Sequence, residues 1–270
     1  MVPMPLDDLD PAAITAGLAL EGELLGVELL DTCRSTNSLL LERAHEPGAL
    51  LLIAREQTAG RGRRGRRWSA PRDAALTFSL RWRFAGPVHA LRGLPLAAGV
   101  ALARALHALG AREVGLKWPN DLMATGRNAG AKLGGILIET RAAGGGTAAI
   151  IGVGLNWRAV PLLEQSLRRR VAALEQLLQP LPRRDVLVAR LAAELARALR
   201  AFERGGLALF CDEWEALDAL RGHRLRVSSG RGRVVSGYAD GLAADGGLRL
   251  RTRGGVRTVH SGSVALAGTA

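Results

Sequence analysis

Gln57-Thr58-Ala59-Gly60-Arg61-Gly62-Arg63-Arg64-Gly65-Arg66-Arg67-Trp68 sets five arginines within seven residues, from Arg61 to Arg67, with three glycines spaced through the stretch. Immediately before it, Ala49 to Arg55 is an apolar run of the length and β-branched or aliphatic character of a buried strand. After Pro71, Ala74 to Arg83 alternates, with Leu76, Phe78, Leu80 and Trp82 on one face. These two strands are expected to pair, so the arginine loop hangs from their ends, where binding sites are commonly built. The glycines let the backbone take positive φ and come close to a ligand. Guanidinium groups meet phosphate or carboxylate oxygens in a planar fork, and Trp68 offers an aromatic face to a ring. Two readings stand side by side: an anion-gripping catalytic loop, or an Arg/Gly tract for nucleic acid.

Upstream of the loop, residues 8 to 20 read as a short amphipathic helix and Glu23 to Leu30 as a strand. Ser35-Thr36-Asn37 precedes a helix at Ser38 to Ala44. One of these three polar residues is explained as the N-cap; the set also suits a small polar ligand. Downstream, apolar residues recur at helical spacing from Leu94 to Leu109, with Gly110 as the stop. Val114 to Leu122 contains Lys117-Trp118-Pro119-Asn120-Asp121, a strand that ends at a proline and turns through Asn-Asp. Lys117, Asn120 and Asp121 together suit a phosphate-bearing substrate or its metal. A loop of small residues, Met123 to Ala131, leads to a strand at Lys132 to Glu139 that forms a hairpin with Ala148 to Trp157 across the Gly144-Gly145-Gly146 turn. Gly152 and Gly154 share one face of the second strand, where a flat ring can lie. Their GxG is not a dinucleotide fingerprint, because no third glycine opens a helix and no acidic residue follows at the proper distance.

The remaining chain reads as helices over 164 to 178, 184 to 203 and about Leu207 to Leu220, followed by short strands at Arg224–Ser228, Val234–Ala239, Leu248–Arg253 and Val256–Val259. That β-rich tail is the size of a small appended barrel.

Of the 37 basic residues in this 270-residue chain, two are lysine, Lys117 and Lys132, which leaves 35 arginines and a net charge of +12. Arginine has displaced lysine almost throughout, so no single arginine cluster, the basic tail included, is evidence of nucleic-acid binding by itself. The two lysines gain weight, because a compact ammonium and a planar fork are not interchangeable in a close-fitting site. The acidic start and the absence of a long apolar run predict a cytoplasmic protein without a membrane span. Cys33 and Cys211 lack metal-ligand or disulfide spacing and read as core thiols; no protein metal site is expected from them or from the five isolated histidines.

In order and spacing, Ser35-Thr36-Asn37, Gln57 to Trp68, Lys117 to Asp121, Lys132 to Glu139 and Gly152 to Asn156 resemble the biotin protein ligases, from about residue 24 to 266. The resemblance implies an α+β fold: a mixed β-sheet flanked by helices, a class II synthetase-like catalytic domain over 1–220, with an SH3-like barrel over 221–270. It implies a ligase forming a carbon–nitrogen bond. Biotin and MgATP give biotinyl-5'-adenylate and pyrophosphate, and the biotinyl group then passes, with release of AMP, to a lysine of the biotin carboxyl carrier domain of a biotin-dependent carboxylase. By position, Ser35, Thr36, Asn37, Gln57, Arg61, Gly62, Arg63 and Lys132 resemble the biotin contacts. Arg64, Trp68, Lys117, Asn120, Asp121 and Asn156 resemble the ATP and adenylate contacts, and Lys132 and Arg63 the catalytic pair.

Three features qualify the resemblance. About twenty residues before the first strand are too few for the DNA-binding domain of family members that repress transcription, so a DNA partner is not expected; a monomer or homodimer is. The loop from Met123 is a few residues longer than usual. The tail Gly262 to Ala267 lacks the acidic residue and arginine often found there, so its contact with the site is open. Lipoate ligation on the same catalytic fold, and nucleic-acid binding through the loop, remain the alternatives.

Overall fold

The computed structural model describes residues 8–69, 71–159, 170–229 and 233–267. Seven strands form one mixed sheet: β1 (Gly26–Cys33), β2 (Leu50–Gln57), β3 (Ala75–Phe84), β4 (Val114–Lys117), β5 (Asp121–Ala124), β6 (Lys132–Ala143) and β7 (Gly146–Asn156). Their order is β1-β2-β3-β7-β6-β5-β4. β1 and β2 are parallel, and the connection between them carries helix α2 (Thr36–Glu42), as a parallel pair requires. The other neighbouring pairs of this sheet are antiparallel, including the expected pairing of β2 with β3 and the β6–β7 hairpin.

Strand β2 reads as an unbroken apolar run because both of its faces are covered. Leu51 and Ile53 join the main core, while Leu50 and Leu52 join Leu40 of α2 and Ile150 of β7 in a second cluster on the opposite face. The main core is closed by helices α1 (Pro11–Leu20), α3 (Leu94–Ala108) and α4 (Arg184–Gly205). Asp10 caps α1 by accepting the Ala12 N–H, with Pro11 in the first turn where its missing N–H costs nothing. Leu102, Leu106, Leu187, Leu191 and Leu195 are fully buried between these helices and the sheet; each such side chain contributes roughly 1.5–3 kcal/mol by leaving water.

The C-terminal strands β8 (Arg224–Ser228), β9 (Val234–Leu242), β10 (Leu248–Thr252), β11 (Gly255–Val259) and β12 (Ser263–Leu266) form an antiparallel sheet in the order β11-β10-β9-β8-β12. β11 and β12 are its edges and are not paired with each other among the described residues. The two parts are joined by hydrogen bonds: from the β4–β5 turn the Trp118 indole N–H donates to the Gly246 carbonyl at 3.0 Å, and the Leu242 N–H of β9 donates to Glu215, on the helix Cys211–Leu217, at 3.0 Å.

Several expectations shift. Met123 and Ala124, expected to open a loop, belong instead to the strand Asp121–Ala124; buried Leu122, Met123 and Ala124 pair with Val114 to Leu116. Gly262 to Ala267 contains a fifth C-terminal strand, β12, held against β8. The helix expected over 164 to 178 is not found in its described part. Residues 170–172 run instead alongside Lys132, whose N–H donates to the Arg170 carbonyl and whose carbonyl accepts from the Ala172 N–H, and only Leu174–Gln176 makes a 3-10 turn; residues 160–169 lie outside the described residues. The helix expected over Leu207 to Leu220 is a 3-10 turn, Gly206–Phe210, followed by α5 (Cys211–Leu217). Cys33 and Cys211 are half-buried free thiols rather than core residues.

Asp218 follows α5 at the junction of the two sheets. It forms a parallel bridge with Leu116 of β4, and the next residue, Ala219, donates its N–H to the Leu116 carbonyl. Burial pushes the Asp218 carboxyl up to about 6, against the opposing pull of the Leu220 N–H and Arg221. Because the folded group holds its proton above the unfolded value, stability falls as pH rises from about 4 to about 6, and the cost is fully present above that. Asp218→Asn should therefore stabilise the protein by about 1–2 kcal/mol at pH 8 and have little effect at pH 4. Urea unfolding at both pH values checks this, and equal shifts at the two would refute it.

Candidate active site

The ends of these strands surround a cavity of about 310 Å³. It is lined by the start of α2, the end of β2 with the arginine loop, Phe78 of β3, the β4–β5 turn, the facing stretches of β6 and β7, and Gly262 to Val264 of the C-terminal sheet. Of the residues singled out in the sequence, Ser35, Thr36, Asn37, Gln57, Arg61, Gly62, Arg63, Arg64, Trp68, Lys117, Asn120, Asp121 and Lys132 all border this one space.

At one end the groups are neutral and tightly interlocked. Ser35 caps α2, accepting the Ser38 N–H at 3.4 Å. Gln57 Oε1 accepts the Thr36 N–H at 2.8 Å and lies 3.2 Å from the Thr36 hydroxyl oxygen, which leaves the Gln57 amide N–H₂ as a donor for a ligand. The fully buried Ser79 hydroxyl donates to Asn37 Oδ1 at 2.6 Å, while Asn37 Nδ2 donates to the Leu137 carbonyl at 3.2 Å and to Glu139 at 3.1 Å. Asn37 Oδ1 retains one lone pair. This end thus offers both a donor and an acceptor to a bound molecule.

The other end is cationic. Lys132 Nζ is ion-paired with Asp121, and lies 6.0 Å from the Trp68 ring centroid. Asp121 is also the register partner of Lys117 across the β4–β5 hairpin, so both lysines of the chain belong to one region of the wall. Arg63 donates to Asn120 Oδ1 at 2.9 Å, and Asn120 is itself fixed by donating to the Ile136 carbonyl at 2.7 Å. Burial lowers the Arg63 guanidinium below its ordinary range; Asp121 pulls the other way, and Arg64 and Arg66 add to the lowering. An arginine remains charged under these conditions, so its positive charge is only partly compensated and is available to an anion.

The loop is folded back on itself as a small hairpin. Arg61 bridges Arg67, the Gly62 N–H donates to the Arg66 carbonyl at 2.7 Å, and Arg64 and Gly65 take left-handed φ of 60° and 72° at the tip. It is fastened to both parts of the molecule. Arg61 pairs with Glu139 at 2.5 Å and donates to Ser38 at 3.0 Å, while Arg66 donates to Ser263 at 3.1 Å.

Two glycines make the floor. A Cβ at Gly154 would stand 2.4 Å from the Trp68 ring, and one at Gly152 would stand 2.1 Å from Asn37 Oδ1. The flat ring expected over this strand is therefore, in the structure, the indole of Trp68 itself, seated edge-in on Gly154. Asn156 does not line the cavity; it is buried, and its Nδ2 donates to the Lys132 and Ala172 carbonyls at 3.0 and 2.9 Å, tying the start of β6 to the 170–172 segment. Three contributors were not singled out in the sequence: Ser79, Glu139 and Ser263. The alternation of β3 marks Ser79 as lying between the inward Phe78 and Leu80 positions, but nothing in that pattern shows that its own face carries the site.

A second cavity of about 660 Å³ adjoins the first, sharing Arg63, Asn120, Ile136 and the Trp118-Pro119 turn. Asp245 and His260, 2.7 Å apart, stand on its C-terminal wall.

Residues 29–156 match the biotin/lipoate A/B protein ligase family, and residues 222–266 match the biotin protein ligase C terminal domain. The chain is 35% identical over 262 residues to the bifunctional ligase/repressor BirA of Escherichia coli, covering 95% of this chain and 79% of that protein. It is 35% identical over 237 residues to the biotin–[acetyl-CoA-carboxylase] ligase of Mycobacterium tuberculosis, covering 85% of each. A biotin protein ligase from Aquifex aeolicus, solved with biotin and ATP, superposes with a TM-score of 0.74 at 25% identity over 89% of this chain and 98% of that one. Family match, identity across nearly the whole length and the shared fold agree with a cavity neutral at one end and cationic at the other: the chain belongs to the biotin protein ligases of the biotin/lipoate A/B protein ligase family.

Proposed function

We propose that the cavity holds biotin at its neutral end and ATP at its cationic end, with the residues named above in the roles that follow. The protein is an ATP-dependent biotin ligase acting on a carboxylase carrier. The observation that carries the assignment of roles is the division of the first cavity: an amide donor and an amide acceptor at one end, matched to a cyclic urea, and the chain's two lysines with the loop arginines at the other.

In the first step the biotin carboxylate attacks the α-phosphorus of ATP and pyrophosphate leaves. Two anions must approach each other, so fixed positive charge at their meeting point lowers the barrier. Lys132 takes that position, exchanging its Asp121 partner for the carboxylate and α-phosphate oxygens as the substrates enter. Lys117 and Arg64 lie toward the phosphates, and Trp68 flanks the adenine. Mg²⁺ enters with ATP. Asp121, the carboxylate of the cavity wall, suits a cation that is held chiefly by phosphates and by one or two protein carboxylates, and the metal supplies charge neutralisation at the phosphates. In the second step the carrier lysine's amine attacks the biotinyl carbonyl and AMP leaves; Arg63, braced by Asn120, holds the adenylate until then. Holding both reactants aligned removes much of the entropic part of each barrier. Ser35, Thr36, Asn37, Gln57, Arg61 and Gly62 bind biotin. Asn156 supports the site from behind by fixing the Lys132 backbone.

On strand number and order, the C-terminal sheet is read as an SH3-like barrel forming its own domain over 221–270, behind a catalytic domain over 1–220. The protein is read as cytoplasmic and as a monomer or homodimer acting without DNA. Among the described residues no helix is long and apolar enough to cross a membrane.

Pyrophosphate release from ATP, compared with biotin and with lipoate, tests the reading: release with biotin and none with lipoate is expected. Lys132→Arg should lose at least about 90% of that release despite keeping its charge, because a branched planar fork cannot take the place of an ammonium already packed between Asp121 and Trp68. Near-normal release by the folded variant would refute the role of Lys132.

Arg63→Gly should leave adenylate synthesis partly intact and let the intermediate escape to acylate exposed amines. The chain itself offers only Lys117, Lys132 and its N-terminal amine, since arginine does not deprotonate at ordinary pH. With biotin, MgATP and albumin present, peptide mass spectrometry should find the albumin labelled far more than the variant. Unlabelled albumin, at confirmed pyrophosphate release, would remove Arg63 from its retaining role.

A further inference from the structure

We propose that Glu139 is a positioning residue that couples closure of the arginine loop to the biotin-binding end of the cavity. Glu139 does not itself line the cavity, and its side chain is only 19% exposed. Its two carboxylate oxygens serve different parts of the site. One accepts from Arg61 at 2.5 Å, the other from Asn37 Nδ2 at 3.1 Å.

The consequence follows from counting protons. Asn37 Nδ2 faces two acceptors, Glu139 and the Leu137 carbonyl, so the amide must point its nitrogen toward β6. Its oxygen then takes the single proton of the Ser79 hydroxyl, which leaves the Ser79 oxygen to accept from Thr36 Oγ1 at 2.7 Å. The chain of hydrogen bonds from Thr36 through Ser79 and Asn37 thus has one direction, set at its end by two groups that can only accept, the Glu139 carboxylate and the Leu137 carbonyl. A neutral amide at residue 139 would remove the charged one of the two and leave the Leu137 carbonyl alone to hold the direction.

Arg61 closes the other half of the argument. With the loop closed, its guanidinium neutralises Glu139 and is steadied by Ser38 Oγ at 3.0 Å. With the loop open, Glu139 would keep a charge in a largely buried place with only the Asn37 N–H against it. Closure is thereby favoured at the residue that also orients the ureido-binding amide, so binding biotin and folding the loop over it stabilise each other. The pair is partly exposed on the Arg61 side, 44%, and its strength comes from the charge-assisted hydrogen bonds rather than from deep burial.

This rests on the ligase reading, and the two fail separately. If the wild-type protein releases no pyrophosphate with biotin and ATP, the ligase reading is wrong. If it does, Glu139→Gln, Arg61→Gln and the double variant decide the matter for Glu139. Loss of one charge-assisted hydrogen bond predicts a biotin KM raised about tenfold in Glu139→Gln, with the ATP KM within about twofold of wild type and faster escape of adenylate to a bystander amine. Because the two residues share the Arg61–Glu139 contact, the effect of the double variant should fall well short of the product of the two single effects. Effects that multiply, or a biotin KM unchanged in Glu139→Gln, would overturn the coupling. Should Glu139→Gln fail to fold, Glu139→Asp keeps the charge but is one methylene too short to hold Arg61 and Asn37 together. It carries the same expectation: biotin KM raised, ATP KM unchanged, and an unchanged biotin KM again overturns the proposal.

Discussion

Charge repulsion between a carboxylate and a triphosphate is the constraint that shapes this molecule. Enough positive charge must stand ready in one half-enclosed cavity, and it must not collapse the cavity or hold it open while no substrate is there. On the proposed reading of the site, each of these cations has a weak or replaceable partner. Lys132 waits on Asp121, Arg63 on the neutral Asn120, Arg61 on Glu139 and Arg66 on the Ser263 hydroxyl. None of these partners is a deeply buried full ion pair of the kind seen between Arg184 and Asp8, where both side chains are almost wholly withdrawn from water. The difference is physical: a buried pair is costly to break, whereas a pair open to solvent on one side can exchange partners as a substrate oxygen arrives.

The same constraint accounts for how the sheet is used. Closely spaced cations have to be held by backbone that does not move, and the β4–β5 turn, β6 and β7 supply it from adjacent strands of one sheet. Gly152 and Gly154 then remove side chains where Asn37 and Trp68 must come down onto the strand. The C-terminal sheet finishes the enclosure from the opposite side, through Gly262 to Val264 and the contact of Ser263 with Arg66. In the sequence this tail looked bare because an acidic residue or an arginine was the expected partner for the site. A serine serves here because the loop brings its own charge and needs only an acceptor.

Most of the catalytic sheet was legible in the sequence because its strands are bounded by strong punctuation and its loop carries an unmistakable composition. Where the reading failed, a local pattern was answering a different question. Met123 and Ala124 open a run of small residues and resemble a loop, yet both are buried because a partner strand lies beside them. Residues 170–178 have leucines at helical spacing, but their backbone is drawn to Lys132 instead. Asn156 and Glu139 make the complementary pair of lessons. Both are polar residues on a cavity strand, Asn156 at the end of β7 and Glu139 within β6. One turns out to serve backbone carbonyls and the other the loop, and only the partners distinguish them; spacing does not. The signal that could have found Glu139 is charge: it is the acidic residue on β6, the strand that must face five loop arginines.

The scarcity of lysine bears on the same point. Arginine replaces lysine wherever a solvated or forked contact will do, including the loop anchors, where several N–H groups on one plane let Arg61 bind Ser38 and Glu139 at once. The two lysines that persist are tied to the same aspartate, Lys117 as its register partner across the hairpin and Lys132 by direct contact. An ammonium there can turn from Asp121 to an oxygen on the other side without swinging a plane of atoms through the space between Trp68 and Gly135, whose added Cβ would already come within 3.1 Å of Lys132 Nζ. Thus the tight packing around Lys132 and the absence of a side chain at Gly135 are one feature: the pocket is cut to a point charge. A chain otherwise so biased toward arginine keeps lysine at the place where the fork does not fit.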